Sequence, residues 1–261
     1  MIWSRAVRRP NQITMSPWLP RRFRVRRARR AGESRLPVYA LYTPSHEVLV
    51  RDFFLPSLAD DVELVLSSYQ VEGPGDFLDH GFLQTIQQKL DLIIESVNRH
   101  DGQVIVWADV DIQFFDSFVA PVRELTSHYD LCFQAENSFN SEVNAGFAAM
   151  RCSADTRAFF ERVKTLALES GRNEQPVVND LLAANETNGI VVGRFPPTFY
   201  APTQGPLPEE LVLHHANGTV PTEDKTSLEL KLEQLRWVRS ERGQPLKPHR
   251  GSIGVEASKS S

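Results

Sequence analysis

A chain of 261 residues with 41% hydrophobic and 24% charged side chains holds enough apolar material for one substantial α/β core. Its net charge of −4 hides an asymmetry: residues 1–36 carry eleven arginines and one acid, leaving eighteen basic against thirty-two acidic side chains, a net of −14, for the rest. So acidic a body argues against general nucleic-acid binding, and no apolar run approaches the roughly 18–20 residues that span a bilayer.

The leader, residues 1–36, contains Arg21-Arg22, Arg26-Arg27 and Arg29-Arg30, is interrupted by Trp3, Pro10, Pro17 and Trp18, and shows no sustained periodicity, so it reads as disordered. Its composition suits an organelle transit peptide, a loose tether to an anionic surface, or an overextended start with Met15 as initiator. Because it offers no apolar face, it is expected to be dispensable for folding. A chain starting near Leu36 should melt within a few degrees of the whole; a large fall in Tm would move that boundary.

Pro37-Val38-Tyr39-Ala40-Leu41-Tyr42-Thr43 predicts the first strand, closed by Pro44-Ser45, with a helix following through Phe53-Phe54-Leu55. Residues 62–66 predict a second strand. Leu83, Ile86, Leu90, Ile93, Ile94 and Val97 then recur at helical spacing along one stripe.

Val104-Ile105-Val106-Trp107-Ala108 follows the turn signal Asp101-Gly102 and suits a central parallel strand covered on both faces. The run breaks into Asp109-Val110-Asp111. In extended backbone residues i and i+2 point the same way, about 6–7 Å apart, so Asp109 and Asp111 can converge on one cation. Acids that merely solubilise a strand mouth are the plain alternative. Against it, Ile112, Phe114 and Phe115 continue the apolar character, and unpaired charge between buried stretches is costly.

Residues 131–134 and 145–151 are further strand candidates around a polar loop, residues 136–144, that is expected to border the site. Ser153 or Asp155 caps a helix stopped by Gly171, and Pro176 sits in the first turn of another. Residues 190–192 and 211–215 predict two short strands, residues 195–208 a loop, and residues 224–239 a polar helix. Cys132 and Cys152 lack metal-ligand spacing and read as buried free thiols of a reducing compartment. The expected organisation is a leader (1–36), one α/β domain (37–239) with a mostly parallel twisted sheet flanked by helices, and a solvated tail (240–261).

With these pieces in place the chain resembles the GT-A-type nucleotide-diphospho-sugar transferases and their glycogenin-like relatives over roughly residues 37–235. The resemblance rests on Trp107-Ala108-Asp109-Val110-Asp111, similar to an Asp-x-Asp motif; Asn144-Ala145-Gly146-Phe147, similar to an Asn-x-Gly strand; Glu174-Gln175 opening a helix; and His215-Ala216-Asn217-Gly218 with Lys225 downstream. Lys225 lies seven residues beyond Gly218, a longer interval than the glycogenin-like pattern has.

The resemblance implies a GT-A-like, Rossmann-like fold and transfer, with retention, of a hexosyl or pentosyl unit from a nucleoside-diphosphate sugar, UDP-linked above all, to a hydroxyl of a glycan, protein or small molecule. It implies donor contacts from Lys89, Asp109, Val110, Asp111, Gly218 and Lys225. Asp109 and Asp111 are hard oxygen ligands suited to Mn²⁺ or Mg²⁺, and an imidazole of the His214-His215 pair suits Mn²⁺. Consecutive strand residues face opposite sides, and His215, which opens the His-x-x-Gly pattern, is the expected ligand over His214. Tyr42 and Thr43 would hold the nucleotide base; a strand ending in polar residues accounts for them equally. Asn144 and Gly146 would frame sugar or acceptor, as would a tight turn without function. Gln175 would lie beneath the anomeric carbon, ordered by Glu174 or Asp180, while acid preference at helix starts also explains Glu174. Retaining chemistry lets the leaving phosphate take the acceptor proton.

A cytoplasmic enzyme is the expected setting, with weak anionic-surface contact through the leader. Two alternatives stand: a catalytically silent protein of the nucleotide-sugar fold that binds a partner through its basic leader, and an Asp-nucleophile phosphatase of the haloacid-dehalogenase kind, whose motif wants Thr or Val where this chain has Gln113.

Overall fold

Residues 35–70, 80–243 and 254–257 are described by the structure, a computed structural model. All belong to one unit, Arg35–Ser261, and the leader lies almost wholly outside them. β1 (Leu36–Tyr42) is followed by an irregular helical stretch made of a 3-10 turn (Pro44–His46), α1 (Glu47–Leu49), a π turn (Val50–Phe54) and α2 (Leu55–Ser57). β2 (Val62–Ser68) then pairs with β1 in parallel, from Leu36↔Val62 to Tyr42↔Ser68. α3 (His80–Arg99) crosses to β3 (Val104–Ala108), which takes the other side of β1 with Val38↔Val106.

Strand alternation builds two apolar layers from these segments. Val38, Ala40, Val106 and Ala108 enter one, with Phe114, Phe118 and Phe147; Tyr39, Leu41, Ile105 and Trp107 enter the other, with the α3 stripe Leu90, Ile93 and Val97. The central strands are thus covered on both faces, as their continuous apolar runs require.

The rest of the chain is β4 (Ile112–Phe114), α4 (Val119–Thr126), β5 (Leu131–Ala135), β6 (Val143–Arg151), α5 (Ala154–Ser170), α6 (Glu174–Ala183), β7 (Val192–Arg194), β8 (Phe199–Tyr200), β9 (Leu213–His215), α7 (Ser227–Arg242) and β10 (Gly254–Ala257). The main sheet has the order β10-β2-β1-β3-β6-β5-β7, mostly parallel, with β6 running against both of its neighbours. β4, β9 and β8 form a second, three-stranded sheet. This is the mostly parallel α/β architecture expected from the sequence.

Caps set the helix boundaries. Ser153 accepts from the Thr156 N–H and Gly171 closes α5 at φ 62°, a left-handed conformation that suits glycine. A reciprocal Thr226–Glu229 capping box starts α7 at Ser227, later than residue 224.

Four local expectations are corrected. Residues 112–115, read as a continuation of the central apolar run, include β4, which leaves the main sheet to pair with β9. The strand expected at 190–192 starts at Val192, because Ile190 closes a turn with Thr187. β8 lies in a segment read as loop; two residues are too few for periodicity to register. The tail reading also gives way: α7 runs on to Arg242, and β10 pairs in parallel with the outer edge of β2, whose backbone groups attract a strand whatever the composition of the incoming segment. Cys132 and Cys152 are free and buried, and burial pushes each thiol up to about 12.

Candidate active site

The mouth of β3 is shaped by its antiparallel neighbour. One residue past the strand, the Asp109 N–H donates to the Gly146 carbonyl at 2.7 Å, so β6 holds Asp109 in place. Trp107 Nε1 donates to Asp109 Oδ1 at 2.7 Å. Lys89 reaches up from α3 to both Asp109 oxygens at 2.9 and 3.2 Å, to the Ala145 carbonyl at 3.1 Å and to Glu174 Oε1 at 2.8 Å.

A lysine only 4% exposed is sustained by this surround of two carboxylates and a carbonyl. Burial pulls its pKa down, but Asp109 and Glu174 outweigh that and raise it, so the ammonium stays charged. Asp109 ends above its ordinary range, with burial pushing up harder than Lys89 pulls down. The resemblance implies a donor contact for Lys89; here it is a buried pin for Asp109 and Glu174.

The second sheet delivers the other half of the site. β4 begins immediately after Asp111, Ile112 pairs with His215, and the Ala216 N–H donates to the Asp111 carbonyl at 3.0 Å, which sets His215 beside Asp111. His215 Nε2 lies 3.3 Å from Asp111 Oδ1, and His215 Nδ1 lies 2.8 Å from Gln134 Oε1. Lys231 of α7 pairs with Asp111 Oδ2 and donates to the Ala216 carbonyl at 3.1 Å. Burial works to raise Asp111, but Lys231 and His215 together outweigh it and hold the carboxyl well below the usual carboxylate range.

Asp109, Asp111 and His215 each present a ligand atom within 4.8 Å of the others. The donor set is two carboxylates and an imidazole, matched to a divalent cation. The fit has a second sign: Asp111 Oδ1 is buried with no hydrogen-bond partner, a position a buried carboxylate oxygen tolerates poorly without a cation.

His214 faces the other way. It is fully buried, stacked on Tyr200 with ring centroids 5.8 Å apart, and burial lowers it to about 3, so it stays neutral. Neither of its ring nitrogens has a hydrogen-bond partner.

The residues expected to frame sugar or acceptor lock to one another. Asn144 Nδ2 and Gln175 Nε2 both donate to Glu136 Oε2, at 2.6 and 3.2 Å; Asn144 Oδ1 accepts from the Gly146 N–H and Gln175 Oε1 from the Ala145 N–H. Gln175 thus clamps α6 to β6, with Asn179 bonding both backbone groups of Val143. The space beside Gly146, expected for sugar, is taken by the His215 ring: a Cβ there would stand 2.2 Å from Cε1 and 2.9 Å from Nε2. Gly146→Ala is therefore expected to cost about 1–3 kcal/mol of stability and to weaken Mn²⁺ binding. Urea melts and calorimetric titration read both, and a variant unchanged in each would show that His215 is not seated there.

Three expected residues are not brought to the cluster as read. Asp180 is exposed and pairs with Arg172 at 2.7 Å; five positions from Gln175, it lies on another helix face. Lys225 is exposed and pairs with Glu233 at 2.7 Å. Val110 packs into the apolar core, so its side chain faces away from any ligand. Tyr42 is half-buried against the core, and the Thr43 hydroxyl is engaged with Ser45 and His46 at 2.9 Å each. Gly218 turns the chain after Asn217 at φ 68°.

Sequence reading missed Lys231, Gln134 and Glu136. Lys231 had a signal: it stands four residues from each of Ser227 and Leu235, two of the three buried positions of α7, so it is a lysine in a buried stripe. Gln134 is a fully buried polar residue closing the apolar Leu131-Cys132-Phe133.

A family model described as nucleotide-diphospho-sugar transferase matches residues 67–228, more than half of the chain. Among solved structures, a glycosyltransferase involved in glycosylation of the major capsid of PBCV-1 is 12% identical with a TM-score of 0.52, over 78% of this chain and 99% of its own. The galactosyltransferase LgtC, solved with donor and acceptor sugar analogs, is 12% identical with a TM-score of 0.50, over 81% and 98%. At such identity the likeness is one of fold. A search of curated proteins finds no match. Among the described residues no helix is long and apolar enough to cross a membrane.

Proposed function

Because the chain belongs to the nucleotide-diphospho-sugar transferase family, and is on that ground a nucleotide-sugar glycosyltransferase, we propose that it moves a glycosyl unit, with retention, from a nucleoside-diphosphate sugar to an acceptor hydroxyl in a reaction that depends on a divalent cation. The observation that carries the metal dependence is the convergence of Asp109, Asp111 and His215 around the unpartnered Asp111 Oδ1. A bound Mn²⁺ or Mg²⁺ would neutralise the charge that grows on the departing diphosphate. Lys89 and Trp107 orient Asp109, Lys231 holds Asp111, and Asn144 and Gln175, anchored on Glu136, frame the acceptor side. The family leaves the phosphatase alternative without support. The buried free thiols favour a reducing, cytoplasmic setting.

The test is a thermal-shift panel of UDP-, GDP- and CMP-sugars with and without Mn²⁺. A ligand that binds the folded state alone stabilises by roughly 2.7 kcal/mol at a hundred times its Kd. One nucleotide class should raise Tm, and EDTA should remove the rise. No rise with any donor would favour a role other than transfer; a rise indifferent to EDTA would remove the cation from the reading.

A further inference from the structure

We propose that Gln134 is a positioning residue that decides which nitrogen of His215 faces Asp109 and Asp111, and so makes the ring a lone-pair donor to a divalent cation; this rests on the metal-dependent reading above. Gln134 is fully buried. Its Nε2 donates to the Phe199 carbonyl at 3.0 Å and its Oε1 lies 2.8 Å from His215 Nδ1. A carbonyl can only accept, so the amide has one favourable orientation, with the nitrogen toward Phe199 and the oxygen toward the imidazole. Nδ1 must then carry the proton. In a neutral imidazole that leaves Nε2 bare.

The bare nitrogen is the one that faces Asp111 Oδ1 at 3.3 Å, and that oxygen has no donor. Two lone pairs opposed in a buried site repel until a cation lies between them. With the proton on Nε2 the same ring would instead donate to Asp111 and close the cluster to metal.

The backbone is built to aim this side chain. Phe133 pairs with Ala148, yet Gln134 pairs with Asn144, so the β5–β6 ladder breaks its register at that residue and residues 145–147 have no partner on β5. Such breaks re-aim side chains beside sites. Phe133 enters the Trp107 layer, while Gln134 turns toward the second sheet and meets Phe199 of β8 and His215 of β9.

The experiment combines side-chain ¹⁵N NMR of the metal-free full chain at mildly alkaline pH, with His215 assigned by difference against His215→Asn, and calorimetric Mn²⁺ titration. Wild type should show the proton on Nδ1. Gln134→Leu, which removes the acceptor, should shift the proton toward Nε2 and weaken Mn²⁺ binding about 10–100-fold. Gln134→Glu keeps an acceptor and should keep both tautomer and affinity. A wild-type ring protonated on Nε2 overturns the proposal; so does Gln134→Leu with tautomer and affinity intact. Tautomer-dependent Mn²⁺ binding without any response to nucleotide sugars would uphold the Gln134 role and sink the transferase reading instead.

Discussion

Asp111→Asn is expected to lower turnover roughly a hundredfold, equivalent to about 3 kcal/mol of transition-state stabilisation, and to abolish the response of rate to added Mn²⁺. The size follows from what the substitution does on both sides of the carboxylate. On one side the unpartnered Oδ1 becomes an amide position, and an Asn nitrogen placed there can donate to the bare Nε2 of His215, removing two ligand atoms at once. On the other side Lys231 loses its counter-charge and keeps the Ala216 carbonyl alone. Initial rates measured across a Mn²⁺ series, with EDTA as the zero, read the effect. Full activity in the Asn variant, or in wild type with EDTA, would mean that Asp111 serves the fold and not the chemistry.

Much of this site was legible, and the reason is local. An apolar run ending in two acids one residue apart places both at a strand mouth by geometry alone, and helical spacing located α3 and with it Lys89. The choice of His215 over His214 rests on strand alternation together with the resemblance to a His-x-x-Gly pattern, and β9 does put the two rings on opposite sides.

What stayed hidden depends on partners distant in sequence. Gln134 lies 81 residues from His215, and Lys231 lies 120 from Asp111. Nothing near either residue announces its partner; only the tertiary fold brings β5 to β9 and α7 to the end of β3. Lys225 attracted attention as the lysine downstream of the His-x-x-Gly pattern, although its interval from Gly218 is longer than that pattern has, whereas the helix geometry of α7 delivers Lys231 from further on. β4 escaped for a different reason: Ile112, Gln113 and Phe114 read as a continuation of the central run, and the switch into a second sheet is set by pairing with β9, which no local pattern encodes.

Lys89→Met should be the most destabilising single change at the site, costing about 3–5 kcal/mol, because it leaves Glu174 buried without a counter-charge and Asp109 with Trp107 as its remaining side-chain donor. For a domain of this size that is a fall in Tm of roughly 10 °C. The folded-state pKa of Lys89 is raised, so its contribution is fully present below the unfolded value near 10.5 and is lost only as pH rises through the still higher folded value. The cost of the substitution should therefore be flat across the neutral range. Were Lys89 only an incidental neighbour of well-solvated acids, its replacement would cost little at any pH. The discriminating variant is Lys89→Met with Glu174→Gln: removing both charges replaces an orphaned carboxylate with a neutral amide, so the pair should recover most of the stability that the single change lost. Chemical denaturation of wild type, both single variants and the double variant closes the cycle. A double variant no more stable than Lys89→Met would show that the ammonium acts through Asp109 and Ala145 rather than by balancing Glu174.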